Sequence, residues 1–356
     1  MGTLVNIVAI IITFGVIVFV HEFGHFIFAK MNHIKVNEFS IGMGPSIATW
    51  TKKDTDYSVR ALPIGGYCMM EGLGEDSDNR NAYNNKSVLV RLAVSFAGPL
   101  FNFILAFLLS IIICHFYAVD PPVMSKIIEG SAAEEAGLLP GDEVIKLDGE
   151  RIYNYREITL YSMMNDPKDP VEITYVREGK EYTTTLTRKY NEESKSYLFG
   201  FISYGRESTG FMDELKYSLL EVRFQIKTAI CSVRMIFTGK TSKDDLMGPV
   251  GIGHTMNDII EEAKEQTADE SWWDSFIVVL LNIINFAVLL SANLGVMNLL
   301  PIPALDGGRI LFVLIEGISG KAVSKDKEMI VNGIGVVLLM LLMIFVFFND
   351  IGNLIH

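Results

Sequence analysis

Two histidines and a glutamate lie inside an apolar stretch near the start of the chain, in the order His21-Glu22-Phe23-Gly24-His25. On a helix, His21 and His25 project from one face, so both imidazoles can reach one metal ion. Glu22 is then placed to take a proton from a metal-bound water. Two histidines can also meet in a core by chance, but a Glu between them inside a hydrophobic span is costly and marks a functional site. The pattern predicts the centre of a zinc-activated hydrolase.

A catalytic zinc usually has three protein ligands and a water, so one ligand is missing from this motif. A later apolar segment is interrupted by Pro301 and Pro303, and Asp306 follows in what the sequence predicts to be a glycine-flanked turn. We expect the Asp306 carboxylate to be the third ligand. The alternative is a solvated carboxylate that merely follows a helix.

The composition indicates a membrane protein. Half of the 356 residues are hydrophobic, and the mean hydropathy is +0.32. A spanning helix needs roughly 20 mostly apolar residues. Four segments qualify, at about 4–28, 92–118, 276–299 and 329–349. The first has neither the basic start nor the small-residue cleavage site of a signal peptide, so we expect it to be a membrane helix.

The charge distribution predicts the orientation. Basic residues concentrate in 29–91 and 301–328, whereas 120–270 holds 28 Asp and Glu against 18 Lys and Arg. By the positive-inside rule, the first two segments face the cytoplasm, and the block 120–275 and both termini lie outside. His21 then lies about 25 Å along a hydrocarbon core of about 30 Å, near the cytoplasmic face. The acidic balance argues against nucleic-acid binding.

These features predict a polytopic α-helical membrane protein with four transmembrane helices, a β-hairpin region on the cytoplasmic side and one extracytoplasmic α/β domain. Its predicted segments are the helices 1–30, 91–119, 276–300 and 329–350, the hairpin region 31–90, the domain 120–207, an amphipathic helix and linker at 208–275, and a cytoplasmic loop at 301–328. In the hairpin region, Pro63–Tyr67 is predicted to be a tight loop that dips toward the metal. The helical pattern at 211–238 suits either the membrane surface or packing on the domain.

Taken together, the motifs resemble the site-2 protease family of intramembrane zinc metalloproteases, and within it the bacterial regulator-of-sigma protease branch. The resemblance covers nearly the whole chain and rests on these segments: His21–His25, Gly42-Met43-Gly44, Pro63–Tyr67, Phe96–Asn102, Gly248–Ile252 and Asn298–Gly307. The domain at 120–207 resembles a PDZ domain around Ala136–Asp142. There is space for one such domain, where some members of the branch carry two.

The resemblance implies one zinc ion per chain, held by His21, His25 and Asp306, with Glu22 as general base and no further cofactor. It implies that Asn298 contacts the substrate backbone or the developing oxyanion, although Asn in a span can also join helices. It also suggests that substrate backbone lies against the glycines of the hairpin region, namely Gly42, Gly44, Gly65 and Gly66. Asn102 suits helix packing and function equally well.

The implied substrates are single-span membrane proteins, such as anti-sigma factors and remnant signal peptides, cut within the membrane after local unwinding. The implied location is the bacterial cell membrane, in contact with lipid. Two other function classes remain open from the residues alone: a metal-dependent transporter with the same ligands along its path, and a non-catalytic adaptor that uses only the PDZ-like domain. That domain would bind a substrate tail, exclude bulky substrates or act as an inert lid.

Overall fold

The computed structural model describes residues 3–75, 77–192, 194–239, 247–321 and 323–355. The chain divides into two compact units. The membrane unit comprises residues 1–109 and 236–356, and the inserted unit comprises residues 110–235.

Four helices of the described residues are long and apolar enough to cross a membrane, in agreement with the four predicted spans. They are α1 (Thr3–Met31), α2 (Val88–Phe116), α7 (Trp272–Leu299) and α9 (Lys325–Ile355). Trp272 and Trp273 lie in the first turn of α7.

Glycines let α1 and α2 approach each other closely. A Cβ atom at Gly24 of α1 would lie 2.4 Å from the Ala97 carbonyl oxygen of α2, which is closer than real Cβ contacts allow. Small residues are the usual means of close helix packing in membranes, where no hydrophobic force drives helices together. The part of α1 that carries His21, Glu22 and His25 therefore lies directly against the backbone of α2.

The predicted hairpin region is a β-hairpin, but it differs from its prediction in one loop. Its two strands, β1 (Val36–Lys52) and β2 (Thr55–Met70), pair antiparallel with several register shifts. Phe39 has partners at both Tyr57 and Cys68, so the start of β1 lies between two parts of β2. The predicted loop Pro63–Tyr67 is wrong, because this segment continues within β2 and its end pairs with β1. Positive φ angles at Gly42, Gly44 and Gly65 accommodate the bends that these register shifts require.

The inserted unit holds a four-stranded antiparallel sheet in the order β5-β4-β6-β7. Its strands are β4 (Glu143–Leu147), β5 (Glu150–Arg151), β6 (Pro170–Arg177) and β7 (Lys180–Thr187). Short helices α3 (Ala132–Glu135) and α4 (Arg156–Met164) contribute to its core. The remaining short strands are β3 (Lys126–Ile127), β8 (Lys189–Asn191), β9 (Ser196–Leu198) and β10 (Phe201–Ile202).

The predicted amphipathic helix is α5 (Phe211–Phe237), and the structure favours its packing on the sheet-bearing part of the inserted unit. Glu157 of α4 is fully buried and pairs with both Arg223 and Lys227 of α5. A buried carboxylate is tolerated when cations of this kind surround it. The polar face of α5 therefore contacts protein.

The expected linker before the third span is wrong, because it contains a helix, α6 (Pro249–Gln266). Met256, Ile260 and Ala263 form its buried stripe and join a core cluster with residues of α7. The carboxylate of Asp350 in α9 accepts hydrogen bonds from the backbone N–H groups of Gly248 at 2.9 Å and Gly251 at 2.8 Å, and so caps α6. This helix belongs to the membrane unit.

The predicted loop 301–328 also contains a helix, α8 (Asp306–Ser319). Asp306 is its first residue and does not lie in a turn as expected. A carboxylate is favoured at this position by the partial positive charge of a helix N-terminus. Cβ atoms at Gly307 and Gly308 would lie 2.0 Å and 2.5 Å from the carbonyl oxygens of Leu300 and Ile302, so the two glycines allow the loop to fold against α8.

Candidate metal centre

His21, His25 and Asp306 come together from opposite ends of the chain. All three are buried, and their candidate ligand atoms lie within 4.8 Å of one another. Asp306 Oδ2 is 3.1 Å from Nε2 of each histidine, and the two Nε2 atoms are 3.3 Å apart. Three convergent donors of this chemistry fit a catalytic zinc ion, for which two imidazoles and a carboxylate are an ordinary ligand set.

The two oxygens of Asp306 have different partners. Oδ2 faces the histidines, while Oδ1 is 3.3 Å from Nη1 of Arg309, one helical turn further along α8. Burial on its own would raise the pKa of the Asp306 carboxyl, but its hydrogen bonds with His21 and His25 hold that pKa well below its usual range. The carboxylate is therefore the charged form that a metal requires.

Glu22 stands beside this cluster without belonging to it. Its Oε2 accepts a hydrogen bond from the backbone N–H of Cys68 at 3.0 Å. Oε1 has no hydrogen-bond partner among the residues that the structure describes. Glu22 lines a cavity of about 240 Å³ together with the three candidate ligands. One carboxylate oxygen is thus anchored, and the other is available for proton transfer in the cavity.

Residues of five segments outside α1 also line this cavity. Tyr67, Cys68 and Met70 come from β2, Leu73 from the turn after it, Asn298 from the end of α7, Ala304 and Leu305 from the following loop, and Arg309 from α8. Ala304 has a φ of 74°, and its N–H donates to Asn332 Oδ1 at 3.2 Å. A non-glycine residue in this conformation needs such support, because it is strained.

The four glycines expected to contact substrate differ in position. A Cβ atom at Gly66 would lie 3.8 Å from Cγ of Glu22 and 2.6 Å from the Ser40 carbonyl oxygen, so this glycine adjoins the site. Gly42, Gly44 and Gly65 are not among the residues that line the cavity. The structure gives these three a role in strand geometry, and their predicted substrate contacts stay a prediction.

Several residues at the site were not predicted. Gly98 of α2 is the nearest: a Cβ atom there would lie 2.3 Å from His25 Nε2 and 2.8 Å from His21 Cε1. Arg309 follows Asp306 by three residues, a spacing that places both on one helix face and could have indicated it. Cys68 contributes its backbone N–H, which no side-chain pattern reveals. Burial raises the pKa of the Cys68 thiol, and the nearby Glu22 carboxylate raises it further.

Comparison with known proteins agrees with this centre. The profile of peptidase family M50 matches residues 9–342. A provisionally named zinc metalloprotease of Clostridium acetobutylicum is 38% identical over 97% of both chains. The zinc metalloprotease RasP of Bacillus licheniformis is 30% identical over 98% of this chain and 99% of its own.

A solved structure also matches part of the chain. A PDZ domain of the SdrC-like protein from Listeria monocytogenes matches 24% of this chain and 88% of its own, at 18% identity and a TM-score of 0.21. So low a score leaves the fold of the inserted unit to be described from its own strands. The match to the family profile over nearly all of the sequence, and the relatives that align along their whole length, show that this chain belongs to peptidase family M50, the site-2 protease family.

Proposed function

We propose that this protein is a zinc endopeptidase that cuts the transmembrane segments of single-span membrane proteins. The observation that carries the proposal is the buried cluster of His21, His25 and Asp306 beside the half-anchored carboxylate of Glu22, on and next to a membrane-spanning helix. Membership of a peptidase family supports proteolysis over metal transport or a purely adaptor role.

His21, His25 and Asp306 would hold one zinc ion per chain. A zinc ion bound there would act as a Lewis acid. It would polarise the scissile carbonyl and lower the pKa of a bound water to about 7. Glu22 Oε1 takes the proton of the attacking water as the water oxygen bonds to the carbonyl carbon. It then gives that proton to the amide nitrogen as the C–N bond breaks. The products are an amine and a carboxylic acid, which keeps the second proton of the water until it ionises.

The substrate must present an extended backbone, because a helix engages its own carbonyl groups. The Cys68 N–H points to Glu22 and away from β1, so the end of β2 forms a sheet edge beside the site. We propose that the unwound substrate lies along this edge by strand addition, next to Gly66. Asn298, which lines the cavity, would donate to the substrate backbone or to the oxyanion.

The proposed orientation follows the charge distribution. The hairpin region and the metal centre lie near the cytoplasmic face of the bacterial cell membrane, and the inserted unit lies outside. By resemblance to the family branch, the substrates are anti-sigma factors and remnant signal peptides. The inserted unit, PDZ-like in sequence, would restrict which substrates reach the membrane site.

Metal analysis tests the ligand set. Purified wild-type protein should contain close to one zinc per chain, and His21→Ala and Asp306→Ala should each contain much less. Asn282→Ala is a matched control, because among the described residues the Asn282 side chain donates its hydrogen bond to the Val278 carbonyl oxygen of its own helix. Unchanged zinc in both ligand variants would refute the assignment.

A further inference from the structure

Helix α2 offers a hydrogen-bond partner to each candidate histidine on the side away from Asp306. His25 Nδ1 is 2.8 Å from the Val94 carbonyl oxygen, and His21 Nδ1 is 3.1 Å from the side-chain amide of Asn102. Both imidazoles therefore lie between Asp306 on their Nε2 side and α2 on their Nδ1 side.

The proton on each ring is constrained by these partners. An imidazole that binds a metal through Nε2 carries its proton on Nδ1, so it needs a hydrogen-bond acceptor there. The Val94 carbonyl can only accept, and it suits His25. The Asn102 amide can present either its oxygen or its nitrogen, and these exchange places when the terminal group rotates by half a turn.

In the structure the Asn102 nitrogen faces His21, and Oδ1 is buried without a hydrogen-bond partner among the described residues. An N–H donor at this place forces the His21 proton onto Nε2, the atom that would bind the metal. Rotation of the amide places the unpartnered Oδ1 against Nδ1 and leaves Nε2 free. The acceptor that His21 requires is thus already present in the side chain that touches it.

We propose that Asn102 is a positioning residue for the metal centre: its Oδ1 accepts the Nδ1 proton of His21 and holds that imidazole in the metal-binding tautomer. The inference rests on the zinc ligand set proposed above. Asn102 would thus support His21 as the Val94 carbonyl supports His25, by accepting the proton on Nδ1. Hydrogen bonds of this kind around metal-bound histidines typically change metal affinity 10–100-fold.

The position of Asn102 is fixed by its surroundings. The residue is fully buried, and its own backbone carbonyl accepts a hydrogen bond from Ser291 Oγ of α7 at 2.8 Å. Gly98, one turn earlier on α2, allows the helix to touch both imidazoles. An Asn inside a membrane can serve only to join helices, but here the α7 contact uses the backbone and leaves the side chain for His21.

Substitution by Asp separates positioning of His21 from a role in joining helices, because an ionised Asp accepts a hydrogen bond as Asn Oδ1 does but cannot donate one. Zinc dissociation constants would be measured by competition with a chelator for wild type, Asn102→Asp, Asn102→Ala and the control Asn282→Ala. We expect Asn102→Ala to bind zinc 10–100-fold more weakly, and Asn102→Asp to bind within about threefold of wild type or more tightly. Equal weakening in both Asn102 variants, or none in Asn102→Ala, would overturn the proposal.

Thermal unfolding supplies a second readout that does not need the Asp variant to fold. With chelator present, Asn102→Ala and Asn282→Ala should unfold at similar temperatures, and added zinc should raise the midpoint less in Asn102→Ala. An equal rise in both would contradict the positioning role. Failure of the ligand set itself gives a different result, because the wild type would then bind zinc no better than His21→Ala.

Discussion

Gly98→Ala tests the closest contact in the metal centre. The added Cβ atom would lie 2.3 Å from His25 Nε2 and 2.7 Å from Cε1, where ordinary contact begins at 3.4 Å, so one partner must move by about 1.1 Å. On its other side, His25 contacts the carbonyl oxygen of Val94, which lies on α2 as Gly98 does. The strain therefore falls on the imidazole or on the whole of α2.

A displacement of this size is large for a metal site, in which ligand distances are held within about 0.2 Å. Misplacement of a reacting group by 1 Å can cost about 10²-fold in rate. We therefore expect Gly98→Ala to bind zinc at least about 10²-fold more weakly than wild type and to lose peptide cleavage at ordinary zinc concentrations.

The assay is zinc affinity by chelator competition, with thermal unfolding of the metal-free protein in parallel. Gly333→Ala is a matched control, because a Cβ atom there meets no atom of the described residues within 4 Å. Gly295→Ala is a second control, in which the new methyl meets the Phe103 ring of α2 and disturbs helix packing at another residue of α2. Wild-type zinc affinity in Gly98→Ala, within about twofold, would refute the placement of α2 against the histidines.

Three further predictions concern orientation, selectivity and the third ligand. With the native cysteines removed, a single cysteine at the exposed Lys195 should react with a membrane-impermeant reagent in intact cells and one at the exposed Lys53 should not; labelling at 53 would overturn the proposed topology. Replacement of residues 123–190 by a short linker should preserve cleavage of a pre-trimmed single-span substrate and should permit cleavage of substrates that keep a folded outer domain. If the deletion protein is stable and zinc-loaded but cannot cut the trimmed substrate, the inserted unit does more than restrict access. Arg309→Ala should weaken zinc binding about 10-fold, because Asp306 Oδ1 loses its 3.3 Å partner, and unchanged affinity would show that Asp306 needs no such support.

The four membrane helices were predictable because apolar length is a local property of the sequence. The fourth illustrates the usual error at the ends: its apolar core was expected at 329–349, and the helix runs over Lys325–Ile355. The first and last turns of this helix contain polar residues, so hydropathy alone predicts only its central part.

The β region shows what a local pattern cannot supply. Gly65 and Gly66 indicated a tight loop, yet Cys68 pairs with Phe39, almost thirty residues earlier, and its N–H reaches Glu22 of α1. Such long-range contacts override the turn signal. Helix α6 is a different case: the proline at its first position and the apolar spacing of Met256, Ile260 and Ala263 were visible in the sequence and predict a helix.

At the metal centre, the sequence predicted the residues that we propose to carry the chemistry, and the structure adds neighbouring groups that we propose to orient them. His21, His25 and Glu22 were predicted from spacing, and Asp306 from its place after two prolines. Asn102 was recognised but could not be separated from a packing residue, because its partner is 81 positions away in sequence. The supporting groups depend on how α1, α2 and α8 meet, which the local sequence does not encode.

The central claim is that Glu22 transfers the proton in peptide hydrolysis at this centre. Detergent-purified wild type and Glu22→Gln would be incubated with the same model single-span substrate, and zinc content measured in both. We expect Glu22→Gln to keep its fold and most of its zinc but to cut at least about 10²-fold more slowly. Turnover close to wild type in zinc-loaded Glu22→Gln would contradict it.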